Sequence, residues 1–493
     1  MWLSSSSNKL PVYTIEQVRE LDRIAIQEQG IPGYVLMQRA AAALLAAVIE
    51  HYPKACSMCI VCGAGNNAGD GYVLARLAKQ ANWQVSVLAA TPPTSLQNDA
   101  QTAYQDYLNG GGHVDFFTGE LPLADVLVDA LFGTGLTRPL QGAFAAAVEA
   151  MNTYLNPVIA VDIPSGLNGN TGQSLGIAVK AALTVTFIGL KQGLLTGQAR
   201  DYVGDLVLAD LGLPEAVLQQ VPAQAFTLTN HLLKKLLPKR AHCAHKGQFG
   251  HALLIGGQAS MAGAIRLAGE SALRTGSGLV SLATDPVHAA WLNLNRPELM
   301  VHAVQARDIA DALTGKTVVG LGPGLGKTTW SQSLWAEALK TDLPLVLDAD
   351  ALNLLAQAPQ PRQNWILTPH PAEAARLLAC RTQAIEQDRF AALKALQQKY
   401  GGVVVLKGAG SLITDGKHTY VCLAGNPGMA TAGMGDVLTG IITSLVGQGL
   451  RLMDAACVGV LIHALAGDKA AQQGERGLVA SDVVNELRGL VNT

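Results

Sequence analysis

Amide and carboxylate side chains gather in one glycine-rich segment of the first half of the chain. The segment Gly63–Gly71, GAGNNAGDG, follows an apolar run and contains Asn66, Asn67 and Asp70. Its spacing also satisfies the G-x-G-x-x-[GA] dinucleotide pattern, which is a weak signal by itself. Paired amides beside a carboxylate suit a polar ligand or a hard cation with oxygen ligands, whereas the alternative is Asx-turn chemistry that only shapes the loop. We expect these side chains to lie in a turn before a helix that begins at Tyr72.

Two further apolar runs end in polar side chains. VLVDALFGTGLTRP places Asp129 at the end of a buried strand, ahead of the glycine-containing loop Gly133–Pro139. VIAVDIPSGLNG places Asp162 and Ser165 at the end of another. In an open parallel sheet the ligand lies at the carboxyl ends of the strands, so these groups predict one shared site. Each aspartate taken alone could instead be a helix N-cap.

The second half has a different glycine motif, NPGMATAGMGDVLTG. Gly433, Gly435 and Asp436 precede an apolar helix. Backbone N–H groups at a helix N-terminus bind phosphate and stabilise developing negative charge. Asp436 in that turn is placed to take a proton from a hydroxyl that attacks phosphorus, although an Asp at a glycine-rich helix start is also a common cap.

Neighbouring strand ends in the second half favour the phosphate site. VLKGAGS offers Lys407–Ser411 to phosphate oxygens, and LTPHPAE holds His370 between two prolines. VLDADALN places Asp348, Asp350 and Asn353 where they could orient water or magnesium, or could serve as structural caps.

Two other motif matches fail. Gly320–Thr329, GLGPGLGKTT, has Leu321 where a Walker A motif needs glycine, so we reject a P-loop. Cys56, Cys59 and Cys62 have a spacing that suggests an iron–sulfur cluster. Residues three apart on a strand point to opposite faces, so we interpret the cysteines as core thiols without disulfides.

The elements that must position these groups are short apolar strands alternating with Ala- and Leu-rich helices. That pattern predicts parallel sheets covered on both faces, an α/β fold, in both halves. A chain of 493 residues exceeds one core. The best boundary lies between Leu213 and Lys246, and we predict domains at 1–218 and 225–493.

Composition excludes several classes of partner. The net charge is −2, which removes the electrostatic case for nucleic acid or an anionic membrane. Met1–Leu10 has no apolar signal region, and the apolar stretches are interrupted before the length of a membrane span. We therefore expect a cytoplasmic enzyme.

GAGNNAGDG, VDALFGTGL and AVDIPSGLNG together resemble the NAD(P)H-hydrate epimerase domain, with Rossmann-like three-layer architecture, over residues 10–215. The resemblance implies potassium bound by Asn67, Asp129 and Ser165, and Asp162 as the general acid/base. The family usually has glycine where this chain has Ala68. The resemblance implies that the hydrate contacts Asn66, Asn67, Ala68, Gly69, Asp70, Gly133, Thr134, Gly135, Leu136, Thr137, Arg138, Pro139 and Asp162.

IGGQASMAGA, GLGPGLG, DADALN, TPHPAE, LKGAGS and NPGMATAGMGD together resemble the ADP-dependent NAD(P)H-hydrate dehydratase of the ribokinase-like superfamily, over residues 225–490. Met434 stands where the family often has threonine. The resemblance implies ADP with magnesium as co-substrate and Asp436 as the catalytic base. The adenine nucleotide would contact Lys407, Gly408, Ala409, Gly410, Ser411 and Gly435. The hydrate would contact Ala264, Gly324, His370 and Asp436, with Gly322 and Gly326 as alternatives to Gly324.

The fused resemblance implies repair of hydrated nicotinamide dinucleotides, NADHX and NADPHX. The first half would epimerise the R and S hydrates, and the second would dehydrate the S form while ADP becomes AMP and phosphate. A homo-oligomer is an expectation from the resemblance alone. Two alternatives remain: a ribokinase-like kinase of a vitamin alcohol, and a first half that is a non-catalytic nucleotide-binding module.

Overall fold

The computed structural model describes residues 9–492, which form two compact units, one ending at Phe226 and the other beginning at Thr227. The boundary lies inside the interval 213–246 that the composition indicates. Of the segment Met1–Leu10, where we expect no signal sequence, residues 1–8 lie outside the described residues.

The first unit consists of short strands, each followed by a helix or loop. Its helices are α1 (Ile15–Gln27), α2 (Gly33–His51), α3 (Asn66–Gln80), α4 (Asn98–Asn109), α5 (Ala143–Asn152) and α6 (Glu215–Gln220). Its strands are β1 (Pro11–Tyr13), β2 (Ser57–Cys62), β3 (Gln84–Ala89), β4 (Asp115–Phe116), β5 (Val126–Ala130), β6 (Val158–Val161), β7 (Leu183–Phe187), β8 (Leu190–Lys191), β9 (Asp205–Ala209) and, at the boundary, β10 (Ala225–Thr227).

The main sheet of this unit is parallel, in the order β4-β3-β2-β5-β6-β7-β9. The chain runs outward from β2 in one direction through β3 and β4, and in the other through β5, β6 and β7. The strand order therefore reverses between β2 and β5, and ligands of open α/β sheets bind at such a switch point. β1 pairs with β8 and β10 outside this sheet.

The cysteine-rich run forms β2, as expected. Cys59 packs in the core on one face of the sheet and Cys62 in the core on the other. Both are free thiols. Opposite faces exclude a metal shared by these two, so the interpretation as core thiols is confirmed for Cys59 and Cys62. It is wrong for Cys56, which lies just before β2 and is exposed.

Helix α2 is long and apolar enough to cross a membrane by length and composition alone. Arg39 nevertheless interrupts the apolar run within this helix, as the sequence indicates. Its buried side chains, such as Leu36, Ala40 and Leu44, pack in the core with side chains of α3, and Arg39 donates to the carbonyl of Leu211 at 2.9 Å. These contacts are typical of a core helix, which passes the same test.

The second unit repeats the strand–helix alternation on a larger scale. Its helices are α7 (His231–Leu236), α8 (Ala262–Thr275), α9 (Pro286–Ala289), α10 (Ile309–Leu313), α11 (Thr329–Ala338), α12 (Ala349–Gln357), α13 (Pro371–Leu378), α14 (Thr382–Gln387), α15 (Arg389–Tyr400), α16 (Met434–Gly447), α17 (Leu452–Ala470) and α18 (Ala480–Leu490). Its strands are β11 (His251–Ile255), β12 (Leu279–Thr284), β13 (Leu299–Ala303), β14 (Val318–Leu321), β15 (Leu345–Leu347), β16 (Trp365–Leu367), β17 (Val403–Leu406), β18 (Ser411–Thr414) and β19 (Thr419–Cys422).

The strands of this unit follow the order β13-β12-β11-β14-β15-β16-β17-β18-β19. The strands from β13 to β17 are parallel, and β11 marks the reversal of strand order. β17, β18 and β19 are antiparallel, which the strand–helix alternation did not predict. The glycines of the LKGAGS motif form the turn between β17 and β18, so a hairpin replaces the expected crossover helix.

Helix α3 begins six residues earlier than expected, at Asn66 instead of Tyr72. The asparagines and Asp70 therefore lie on the first turns of a helix and not within a turn. The glycines that suggested a loop serve close packing: a Cβ on Gly69 would lie 2.6 Å from Met37 Cε, and one on Gly71 would lie 2.8 Å from Ala130 Cβ. Tertiary packing thus overrides the low helix propensity of glycine.

Candidate active sites

The first candidate site begins at the N-terminus of α3. Asn67 is buried, and its Nδ2 has no hydrogen-bond partner. A Cβ placed on Gly133 would lie 3.0 Å from Asn67 Oδ1 and 3.3 Å from Asp162 Oδ2. The amide after β2, the glycine loop after β5 and the carboxylate after β6 therefore converge, as the sequence predicts. A buried amide without a partner indicates room for a ligand.

Asp129 and Ser165 form a second cluster at the same end of the sheet. Ser165 Oγ donates to Asp129 Oδ1 at 2.6 Å, and the backbone N–H of Ser165 donates to Oδ2 at 2.7 Å. Burial raises the pKa of Asp129 to about 6, although these hydrogen bonds oppose the shift. Asp129 is not a helix cap, because its oxygens connect two strand ends.

Asp162 lies just after β6 with a left-handed backbone, φ +68°. Its Oδ1 accepts hydrogen bonds from Lys191 Nζ at 2.5 Å, Phe187 N at 3.1 Å and Thr186 Oγ1 at 3.2 Å. Lys191 Nζ also donates to Thr186 Oγ1 at 2.9 Å and to the carbonyl of Phe187 at 2.7 Å, and the lysine is fully buried. Asp162 is thus held by an ion pair, while its Oδ2 faces the glycine loop.

Sequence reasoning missed Lys191 and Asp22. Lys191 is a lone cation in the apolar run LTVTFIGLKQG, and its burial could have been suspected from that context. Asp22, on α1, belongs to an exposed-looking amphipathic helix and carries no motif. Burial raises its pKa, and the charge of Asp162 raises it further.

The loop from Gly133 to Pro139 is mostly exposed beside this cluster. Arg19 on α1 donates to the carbonyl of Thr134 at 2.6 Å and so fixes the start of the loop. Arg138 is exposed. This loop is therefore placed to contact a ligand that reaches the amide and carboxylates.

The second candidate site lies at the N-terminus of α16. Helix α16 begins at Met434, one residue after the N-cap Gly433, so Asp436 lies in the first turn. The side chain of Asp436 is not the N-cap. Burial raises the pKa of Asp436 to about 7, and the negative charge of Asp348 contributes. A carboxylate with such a pKa is suited to proton transfer near neutral pH.

A buried ion pair lies directly beneath this turn. Asp348 Oδ1 accepts from Lys407 Nζ at 2.6 Å and from Thr368 Oγ1 at 2.9 Å, while Oδ2 accepts from Thr439 Oγ1 at 3.0 Å. A Cβ on Gly435 would lie 3.2 Å from Asp348 Oδ2 and 3.3 Å from Lys407 Nζ. The structure therefore brings the LKGAGS lysine to the GMGD turn.

This ion pair is ionised despite its burial. Burial opposes the charge on Asp348, but Lys407 outweighs it and lowers the pKa of that carboxyl. Burial likewise opposes the charge on Lys407, but Asp348 and Glu373 raise the pKa of the amine. The carboxylate of Asp348 accepts from three side-chain donors and positions Lys407, and it makes no cap hydrogen bond to α12, although Asp348 is the N-cap residue of that helix.

His370 begins α13 in a capping box. Its Nδ1 accepts from the N–H of Ala372 at 3.1 Å, and Glu373 Oε2 accepts from the N–H of His370 at 2.8 Å. Glu373 Oε2 is also 3.8 Å from Lys407 Nζ. Burial lowers the pKa of His370, and the positive charge of Lys407 lowers it further. The half-exposed imidazole thus caps α13 beside the same cluster, and its contact with a ligand stays a prediction.

The glycine loop after β14 faces the start of α8. A Cβ on Gly324 would lie 3.1 Å from Ala264 Cβ and 2.6 Å from the carbonyl oxygen of Met261. Gly326 donates its N–H to Asp350 Oδ2 at 2.8 Å, and Asn353 Nδ2 donates to Asp350 Oδ1 at 3.1 Å. The structure thus brings Gly324 and Ala264 together, and Asp350 braces the loop.

In the turn between β17 and β18, Gly408 and Ala409 are exposed, whereas Gly410 is buried. Arg389 lies beneath it and donates to the carbonyls of Leu406 at 3.3 Å and Lys407 at 3.0 Å. Ser411 Oγ donates to the carbonyl of Gly408 at 3.0 Å. Arg389, which sequence reasoning missed, therefore holds the turn from within, while Gly408 and Ala409 stay accessible.

The folds and sites define a two-unit α/β protein with two candidate small-molecule sites, each at the carboxyl ends of parallel strands. Residues 33–193 match the family described as YjeF-related protein N-terminus, and residues 252–488 match the family described as NAD(P)H-hydrate dehydratase.

Relatives match the chain over both units. The bifunctional NAD(P)H-hydrate repair enzyme Nnr of Coxiella burnetii is 48% identical, over 98% of this chain and 99% of the relative. The protein of the same name from Vibrio cholerae is 44% identical, over 97% of this chain and 98% of the relative. The chain therefore belongs to the family of bifunctional NAD(P)H-hydrate repair enzymes, and the resemblance drawn from the motifs is confirmed.

A solved structure supports the assignment of the second unit. The ADP/ATP-dependent NAD(P)H-hydrate dehydratase from Bacillus subtilis, co-crystallised with ATP and Mg²⁺, is 28% identical with a TM-score of 0.50, over 53% of this chain and 95% of that chain. A ribokinase-like superfamily protein from Enterococcus faecalis is 27% identical with a TM-score of 0.51. The ribokinase-like fold is thus confirmed, and the family favours the dehydratase over the vitamin-kinase alternative.

Proposed function

We propose that the first unit epimerises R- and S-NAD(P)HX and that the second dehydrates the S form to NADH or NADPH while ADP becomes AMP and phosphate. The observation that carries the proposal is Asp436 in the first turn of α16, directly above the ion pair of Lys407 and Asp348. A base, a cation and a helix N-terminus at one point are the parts that phosphoryl transfer needs.

In the second site Asp436 takes the proton of the hydrate hydroxyl, which attacks the β-phosphate of ADP. The backbone N–H groups at the start of α16 and the ammonium of Lys407 stabilise the charge that develops on the phosphate oxygens. AMP leaves, and the phosphorylated hydrate then expels phosphate to restore the dinucleotide. The nucleotide contacts would be Lys407–Ser411 and Gly435, and the hydrate contacts would be Ala264, Gly324, His370 and Asp436.

Magnesium fits this site as an ion that arrives with the nucleotide. Asp348 uses both carboxylate oxygens on side-chain donors, and Asp350 uses both on Gly326 and Asn353. These carboxylates do not form a dedicated cage, whereas Mg²⁺ commonly keeps several waters and binds phosphate oxygens. Bound there, it would neutralise the charge of the phosphates.

In the first site Asp162 transfers protons at the hydrated carbon, with Asn66–Asp70 and Gly133–Pro139 contacting the dinucleotide. Potassium would be held by Asn67, Asp129 and Ser165. Oxygen ligands suit a hard cation. The buried Asp129 carboxylate accepts hydrogen bonds from a hydroxyl and from backbone N–H groups. Among residues 9–492 it forms no ion pair with a lysine or arginine. A bound cation would supply the missing positive charge.

We infer domain limits of 1–218 and 225–493 for the two activities. Four predictions of the sequence stay predictions: action on small molecules, a cytoplasmic location, no binding to nucleic acid or membranes, and assembly into a homo-oligomer. The net charge of −2 supports the absence of nucleic-acid and membrane binding, and the family supports action on small molecules.

The first experiment follows absorbance at 340 nm after the full chain is added to mixed R- and S-NADHX with ADP, magnesium and potassium. Early time points are used because the epimers interconvert slowly without enzyme. We expect prompt recovery of both epimers in the wild type. Asp162→Asn should recover only the S fraction promptly, whereas Asp436→Asn should recover neither and still equilibrate the epimers. No ADP-dependent recovery by the wild type would overturn the proposal.

A further inference from the structure

Asp70 is a carboxyl group of the epimerase site that the proton transfer by Asp162 leaves unexplained. It lies on α3 three residues after Asn67, and residues at i and i+3 share a helix face. The buried Asn67 amide on that face, with its unpartnered Nδ2, meets Gly133 and Asp162. Asp70 therefore faces the same ligand space as Asp162 and the Asn67 amide.

The surroundings of the two carboxyl groups differ. Asp162 Oδ1 accepts a hydrogen bond from the fully buried Lys191 at 2.5 Å, so Asp162 has a cation paired with it. The negative charges of Asp162 and Asp22 act on Asp70 through space, and so does the positive charge of Lys191. Asp99 on α4 acts in turn on Asp22. Two carboxyl groups in one site with opposite surroundings are the usual arrangement of a general acid beside a general base.

Protonation of Asp70 agrees with this geometry. Burial raises the pKa of Asp70 well above its usual value, and the negative charges of Asp162 and Asp22 raise it further, against the opposing effect of Lys191. A carboxylic acid kept neutral in this way can donate a proton at neutral pH.

The chemistry of the substrate needs such a pair. Hydration of the enamine in a dihydropyridine ring places the hydroxyl on the carbon bonded to the ring nitrogen, and that carbon inverts when the hydroxyl leaves and water returns on the other face. We propose, on the basis of the proposed epimerase function, that Asp70 is the general acid that protonates the departing hydroxyl and that Asp162 is the base for the returning water.

The steps balance as follows. Asp70 gives its proton to the hydroxyl, the C–O bond breaks with its electron pair on oxygen, and water departs while the nitrogen lone pair forms a C=N bond. Water then adds to the opposite face, the nitrogen recovers its electron pair, and Asp162 receives the proton. One proton has moved from Asp70 to Asp162, and exchange with solvent restores the starting state.

The test compares Asp70→Asn with the wild type in the full chain, with pure R-NADHX as substrate and the 340 nm recovery as readout. Asn has nearly the shape of a protonated Asp and is uncharged, so a purely structural role would tolerate it. We expect the rate constant for consumption of the R epimer to fall about 100-fold or more, with a much smaller change in KM. Asp70→Glu, which keeps an acid at a displaced position, should retain more activity than Asp70→Asn.

Two internal controls accompany the variant. Recovery from S-NADHX reports the second unit and should be unchanged. Asp115→Asn, which alters an exposed carboxylate on β4 of the first unit, should leave R-epimer consumption unchanged. If Asp70→Asn consumes the R epimer within about threefold of the wild-type rate, the general-acid role is wrong. If Asp70→Asn fails to fold, the rate of R-epimer consumption by Asp70→Glu tests the role of Asp70, and labelling with H₂¹⁸O tests the loss of the hydroxyl.

Labelling with H₂¹⁸O tests the step itself. Because the hydroxyl leaves as water, the S hydrate formed by the wild type at early times should carry solvent oxygen. Epimerisation without uptake of the label would overturn the proposal while leaving the epimerase function intact. Failure of the epimerase function would differ, because the wild type would then consume R-NADHX no faster than the uncatalysed rate.

Discussion

The pH dependence of the dehydratase reaction follows from the surroundings of Asp436. This carboxyl must be ionised to accept the proton of the hydrate hydroxyl. Burial and the charge of Asp348 raise its pKa to about 7. A base with a raised pKa is active above that value and is lost as the pH falls through it. Lowering the pH from 8 to 6 should therefore remove most of the activity.

The magnitude follows from a single titration. With a pKa of about 7, about nine tenths of Asp436 is ionised at pH 8 and about one tenth at pH 6. The kcat/KM for dehydration of S-NADHX should fall roughly tenfold over this range. Asp436→Asn should lower kcat by about 10²–10⁴-fold at every pH, because that is the range for general base catalysis.

ADP itself titrates in this range, because its terminal phosphate has a pKa near 6. Asp350→Asn separates the two ionisations. The negative charge of Asp350 contributes to the raised pKa of Asp436. Removing that charge should therefore move the acid side of the pH profile of kcat/KM to lower pH. The ionisation of ADP is unaffected by this substitution. The assay is initial 340 nm recovery from S-NADHX between pH 5.5 and 9, corrected for recovery without enzyme. A flat wild-type profile from pH 6 to 8, or an acid limb unmoved in Asp350→Asn, would refute the assignment.

Three further expectations follow from the two sites. Gly133→Ala places a Cβ 3.3 Å from Asp162 Oδ2 in the ligand space, so R-epimer consumption should fall about 100-fold while S-epimer recovery is retained. Asp348→Ala leaves Lys407 with only the more distant Glu373, 3.8 Å away, so the free energy of unfolding of the second unit should fall by about 3–5 kcal/mol in a denaturant titration. The transition of that unit is identified by its shift with ADP, and an unchanged midpoint would contradict the role of the pair. Replacing potassium with a bulky organic cation should slow epimerisation in the wild type, whereas Asp129→Asn should be slow in either salt.

The strand ends were predictable because buried parallel strands carry a strong signal. Every apolar run chosen as a strand forms one, from β2 to β17. The helix start at Asn66 was not predictable, because the glycines that argue against a helix there are required by contacts with Met37 and Ala130, which are distant in sequence. The β17–β18 hairpin was missed for a related reason. Strand–helix alternation predicts a crossover helix between parallel strands, whereas here two glycines close a tight turn between antiparallel strands.

The candidate site residues were predictable where a motif carried them, and their partners were not. Asp162 and Asp348 stand out at strand ends, but nothing near them in sequence indicates Lys191, 29 positions away, or Lys407, 59 positions away. Thr439, 91 positions from Asp348, is equally hidden in an apolar helix. Such pairings depend on which strand ends meet, and that is a property of topology.

The two sites reach a similar electrostatic arrangement on different folds. In each, a lysine and an aspartate form a buried ion pair, and a second carboxyl lies nearby without a cation of its own: Asp70 beside Lys191–Asp162, and Asp436 beside Lys407–Asp348. In each site the negative charge of the paired aspartate helps to raise the pKa of the second carboxyl. The difference lies in which member faces the ligand. Asp162 keeps Oδ2 toward the ligand space and can act on substrate, whereas Asp348 spends both oxygens on Lys407, Thr368 and Thr439 and can only hold the lysine in place. In the first site this arrangement supports the proposed transfer of protons by both carboxyl groups. In the second it supports Asp436 as the proposed base and leaves the proposed contact with phosphate to Lys407.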